Sequence, residues 1–172
     1  MSVWLMAVLF TALSGNPVRT PAANTEPLVH DALIEASVDD VWTAFTTKAG
    51  VESWMVAHAE IDLRVGGKMR THYRKEGVLG DEGTIENTIL SFDPKRMLSI
   101  KVAKFPKGFP FPNAVENMWT NVYFEPMGSN RTRVTVRGLG WTEDEQSQQM
   151  RKFFDGGNKQ TLDALAARFK AK

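Results

Sequence analysis

Between Ala59 and Arg137 the apolar residues recur at every second position in one stretch after another, and turn-forming residues separate the stretches. A period of two belongs to strands with one buried face, and short turns between such strands make antiparallel neighbours of them. Ala59, Ile61, Leu63 and Val65 alternate with Glu60, Asp62 and Arg64, and Gly66-Gly67 then offers the positive φ of a tight hairpin. The return stretch, Lys68 to Arg74, predicts an outward basic face of Lys68, Arg70, His72 and Arg74 and an inward face of Met69, Thr71 and Tyr73. Gly83 to Phe92 and Met97 to Val102 form a second pair about Asp93-Pro94-Lys95-Arg96, with Ile85, Asn87, Ile89, Leu98, Ile100 and Val102 inward. Trp119 to Glu125 and Thr132 to Arg137 form a third about Met127-Gly128-Ser129-Asn130, with Thr120, Val122, Phe124, Thr132, Val134 and Val136 inward.

Elsewhere the period changes. After Trp141, Thr142 is placed to cap a helix with Glu145 at the capping-box position, and Met150, Phe153, Phe154, Leu162, Leu165 and Phe169 supply its apolar positions. Gly156-Gly157 interrupts that pattern and predicts a kink or a close approach. Upstream, Leu28 to Ala36 reads as a first strand, Ser37-Val38-Asp39-Asp40 opens a short helix carrying Val41, Trp42 and Phe45, and Val51, Trp54 and Met55 suggest one more helical turn after a break at Thr46 to Gly50.

The chain of 172 residues has room for one domain. Its 21 basic and 20 acidic residues leave a formal net charge of +1, so no global field steers it to nucleic acid. The absence of cysteine excludes disulfides, thiolate metal sites and a cysteine nucleophile. Val3 to Leu13 is an apolar run of signal-peptide length, too short to span a bilayer, and Ala12-Leu13-Ser14 provides a small-x-small cleavage site. Residues 1–15 are therefore read as a signal peptide, 16–27 as a proline-broken linker and 28–172 as the domain, which is expected to be periplasmic or extracellular with no membrane-integral part. An uncleaved anchor, or an apolar tail on a cytoplasmic protein, is the alternative.

The order strand, two short helices, antiparallel strands and one long C-terminal helix resembles the START-like, or SRPBCC, superfamily. Val38-Asp39-Asp40-Val41-Trp42-Thr43-Ala44-Phe45 followed by Trp54, then Arg64-Val65-Gly66-Gly67-Lys68, Gly83-Thr84-Ile85-Glu86, Pro94-Lys95-Arg96-Met97-Leu98 and Thr132-Arg133-Val134-Thr135-Val136, is similar to the Aha1-like (activator of Hsp90 ATPase homologue) family. The resemblance implies an α+β helix-grip fold: a curved antiparallel sheet wrapped around the C-terminal helix, with a mainly apolar cavity between them. Two segments depart from the pattern. Phe105 to Pro112 looks inserted, and Phe154-Asp155-Gly156-Gly157-Asn158 replaces the Gly-Trp that commonly opens the last stretch of the helix.

No catalytic constellation stands out. His30, His58 and His72 match no metal-ligating spacing and read as surface or strand residues, no GxSxG elbow is present, and Gly66-Gly67 lacks the rest of a phosphate loop. Neither metal nor cofactor is expected. The basic stripe from Lys68 is read as paired with Glu60 and Asp62 across the hairpin. Polar residues at inward positions either bond within the core or face a wet cavity. The expected cavity lining is Trp54, Met69, Thr71, Tyr73, Asn87, Trp119, Thr120, Phe153 and Phe154, with Phe105, Phe109 and Phe111 as a gate. The first functional reading is a carrier of a small apolar or amphipathic molecule. The others are a co-chaperone or protein-binding module, as the resemblance implies, and a cyclase-like enzyme using Tyr73, Asn87 or His72.

Overall fold

The computed structural model describes residues 23–170. The expected signal segment lies outside these residues, as does most of the linker. In chain order the elements are β1 (Leu28–Ile34), α1 (Val38–Thr46), α2 (Lys48–Glu52), β2 (His58–Ile61), β3 (Lys68–His72), β4 (Ile85–Asp93), β5 (Met97–Lys104), a 3₁₀ turn (Ala114–Asn117), β6 (Trp119–Pro126), β7 (Thr132–Leu139) and α3 (Glu145–Lys170). The strands form one antiparallel sheet in the order β1-β7-β6-β5-β4-β3-β2, so every neighbour after the β1–β7 closure is sequential. This is the α+β helix-grip architecture, with a curved sheet gripping α3.

Local chemistry sets the boundaries. Ser37 accepts from the Asp40 amide to cap α1, and Thr47 accepts from Gly50 to cap α2, so the expected break at Thr46 to Gly50 is a single capping residue. Asp144, rather than Thr142, accepts from the Ser147 amide at the start of α3, and the Thr142 hydroxyl bonds the Asp144 carboxylate instead. Strand β2 ends at Ile61, short of Val65, because residues 62–67 turn back through Gly66, whose φ is 76°. The amide of Gly66 donates to the Ile89 carbonyl and Ile89 donates to Gly67, which ties that turn to β4. Helix α3 runs unbroken through Gly156-Gly157, and a Cβ at either position would meet nothing within 4 Å. The glycines therefore neither end the helix nor mark a close approach.

The core divides along α3. Leu162, Leu165 and Phe169 pack with Ile34, Ile89, Leu98, Val122, Phe124 and Val134 and with the inner side of α1. There Trp42 and Phe45 meet Phe124 edge-on at 5.4 and 5.2 Å, and each such aromatic pair adds about 0.5–1.5 kcal/mol beyond its buried area. Met150, at the other end of α3, packs in a separate cluster with Leu28, Ala114, Val115, Met118 and Trp141. A third cluster joins Val51 and Val56 to Ala59 and Met69.

Candidate functional site

The strand registers place Leu28, His30, Ala32 and Ile34 of β1 on the same inner face as Val136, Thr120, Ile100, Val102, Asn87, Ile85, Met69 and Thr71 of the following strands. Near Ile34 this face is closed by the C-terminal half of α3. Further along it, Ile85, Asn87, Ile100, Val102 and Thr120 stay half-buried, so solvent reaches the inner face between the two apolar clusters. The two best-formed hollows lie elsewhere, as open depressions of about 440 Å³ near Glu35 and Asn130 and about 480 Å³ near Asp81 and Lys104.

The helix over this face has a mixed stripe. Ser147, Arg151, Phe154, Asn158, Leu162 and Leu165 follow one another at intervals of three or four residues, which places them on one face. Ser147, Leu162 and Leu165 are buried, confirming that this face looks at the sheet. Its middle is polar, with Arg151 and Asn158 where a core helix normally carries apolar residues.

Beside that middle, the His30 ring reaches Asp155 of α3, with Nε2 2.9 Å from Oδ1. A carboxylate only accepts, so Nε2 carries the proton and Nδ1 is the free nitrogen. The His30 side chain is only 8% exposed, and Nδ1 is buried without a hydrogen-bond partner. Lys159 and then His30 hold the Asp155 carboxyl below its usual range. The Arg151 Nε is likewise buried and unpartnered.

The expected lining residues separate into groups. Met69, Thr71, Asn87 and Thr120 are on the inner face, and Phe154 packs against the Met150 cluster, 6.3 Å from Trp141. Trp54 belongs instead to the closed core, edge-on to Phe45 at 5.1 Å with its indole nitrogen donating to the Ala44 carbonyl. Three further placements correct the expectation. Tyr73 lies just beyond β3 and is 60% exposed, because the strand ends at His72 and alternation no longer directs the side chain. Trp119 pairs with Leu139 across β6 and β7 on the convex side, one position out of phase with Thr120. Phe153 is 54% exposed, on the flank of α3 next to the gate segment. There Phe105, Phe109 and Phe111 form a cluster, with Phe109 stacked on Phe105 at 5.2 Å and edge-on to Phe153 at 6.3 Å.

The basic face differs from expectation in its partners and in the burial of one residue: Asp62 pairs with Arg64 instead of with the stripe. Lys68 and Arg70 pair with Glu86 at 2.7 and 2.8 Å, and Arg70 reaches Glu60 at 3.2 Å. His72 is buried, because residues 73–84 fold over it. Its Nδ1 accepts from the Arg74 amide and its Nε2 lies 3.1 Å from Asp81. A Cβ on Gly77 or Gly83 would collide with the ring, so glycine is what allows the loop to close. Among the described residues no group of three or more metal-ligating side chains converges, and no helix is long and apolar enough to cross a membrane.

Residues 35–170 match the family described as activator of Hsp90 ATPase homolog 1-like protein. The chain belongs to that family. Its fold is shared by protein MLL2253 from Mesorhizobium loti, at 15% identity and a TM-score of 0.66, covering 86% of this chain and 98% of the other. It is also shared by the Aha1 dimer from Colwellia psychrerythraea, at 17% identity and a TM-score of 0.58, covering 82% and 96%. The di-domain ARO/CYC BexL from the BE-7585A biosynthetic pathway is similar at 15% identity and a TM-score of 0.66, over 84% of this chain and 46% of that one. No curated protein matches the sequence. Within this Aha1-like framework His30, Asp155, Arg151 and Asn158 are candidate residues that sequence reasoning missed. Their signals were present: His30 alternates with Leu28 and Ala32, and Arg151 and Asn158 fall on the apolar stripe of α3.

Proposed function

We propose that the protein binds a small amphipathic molecule in the trough between the sheet and α3. The observation that carries this reading is the free, buried Nδ1 of His30 in the polar middle of an otherwise apolar seam. A buried polar atom without a partner costs about 1–3 kcal/mol, which a ligand hydrogen bond would offset. Apolar walls on either side, including Val102, Ile100 and Phe154, suit the body of such a molecule. The aromatic cluster from Phe105 to Phe111, against Phe153, is the segment that would open for entry. As part of the same reading, the apolar run from Val3 to Leu13 directs the protein out of the cytoplasm.

Native mass spectrometry of the purified chain, with solvent extraction, tests the proposal. A reproducible adduct that is lost on denaturation and recovered in the extract is expected. A clean apo mass, together with failure to bind amphipathic probes added in solution, would overturn it.

Two other readings each have one observation behind them. Kinship with the Aha1-like family favours a protein-binding module, for which a cytoplasmic location, read with a fusion reporter, is required. The His30–Asp155 pair, on a fold shared with an ARO/CYC protein, favours a cyclase-like enzyme in which Nδ1 takes a proton from substrate.

A further inference from the structure

We infer that the polar end of the ligand is an acid group, and that the guanidinium of Arg151 receives it. The inference rests on the amphipathic-ligand reading and adds the sign of the charge. Arg151 lies on the stripe of α3 that faces the sheet, between buried Ser147 and buried Leu162. An arginine stays protonated at any working pH, so its position brings a permanent positive charge to the seam. Its Nε is buried with no hydrogen-bond partner, and among the described residues it takes part in no ion pair.

Neither the inner face of the sheet nor the adjoining turns of α3 give that charge a free carboxylate. The inner-face positions of β1, β7, β6, β5, β4, β3 and β2 contain no aspartate or glutamate. The one carboxylate near Arg151 along α3 is Asp155, one turn on, and its two oxygens are engaged by His30 at 2.9 Å and Lys159 at 3.2 Å. A half-buried cation without a counter-ion is unfavourable unless a hydrogen-bonded anion joins it. A carboxylate or sulfonate satisfies the planar guanidinium fork through parallel hydrogen bonds. The apolar part of the same molecule has Leu28, Met118, Val102 and Phe154 beside it. The class of ligand is therefore an organic acid with an apolar body.

Two fluorescent probes that share one skeleton separate this inference from the reading beneath it: neutral N-phenylnaphthylamine and its sulfonated counterpart, anilinonaphthalene sulfonate. The wild-type chain is expected to bind the sulfonate about tenfold or more tightly than the neutral probe. Arg151→Met is expected to lower the sulfonate's affinity about tenfold or more relative to that of the neutral probe, and Arg151→Lys to restore part of the difference. Equal wild-type affinities overturn the anion assignment and leave the amphipathic site standing, and so does a sulfonate affinity that Arg151→Met does not change. Binding of neither probe removes both. The wild-type comparison decides the matter even where a variant does not fold, and thermal unfolding identifies such a variant.

Discussion

His30 of β1 and Asp155 of α3 share a hydrogen bond of 2.9 Å across the line where the helix leaves the sheet. The bond fixes the proton on Nε2 and leaves Nδ1 facing unmet chemistry in a seam that is apolar to either side.

That pairing carries a pH dependence. Lys159 first and His30 second depress the Asp155 carboxyl, so its contribution to stability is present above the ordinary aspartate value of about 3.9 and is lost as pH falls through the lower folded value. Urea midpoints measured from about pH 7 down to about pH 3 should fall more steeply for the wild type than for Asp155→Asn. Parallel curves would show that the carboxylate contributes nothing specific.

The glycines make opposite predictions. Gly77→Ala drives a methyl group into the buried His72 ring and should lower stability by about 1–3 kcal/mol. Gly156→Ala adds a methyl group in open space inside a continuous helix and should raise it by about 0.5–1 kcal/mol. Thermal unfolding of the two variants should move in opposite directions.

Leu165 is fully buried where α3 meets β4 to β7. Leu165→Ala should cost about 2–5 kcal/mol in denaturant unfolding, most of it from the cavity left behind. A loss below about 1 kcal/mol would mean that this end of α3 is not anchored as described.

Phe109 holds the segment from Phe105 to Pro112 through its contacts with Phe105, Phe111 and Phe153. Phe109→Ala should speed tryptic cleavage at Lys104 and Lys107 several-fold, with only a small change in thermal midpoint, because the loop contributes less to the core than to its own closure. An unchanged cleavage rate would argue against a segment that opens.

Much of the inner face was legible because period-two alternation is a local property: Asn87, Thr120, Met69 and Thr71 fall where their strands put them. Tyr73 went astray where alternation stops, whereas Trp119 falls on the outer face by the same alternation that puts Thr120, Val122 and Phe124 inward. His72 is on the outward face that its spacing predicts, yet a loop of later sequence covers it.

The sequence by itself determined the element order, the antiparallel pairing, the family likeness and the long last helix, since periodicity, caps and turn residues act over a few neighbours. Only the tertiary structure decided that His30 meets Asp155 across 125 residues of chain, and that Arg151 in the middle of α3 has its Nε buried without a partner. Those outcomes depend on how two surfaces pack. A polar residue on an apolar stripe has no defined partner until the opposite surface is in place.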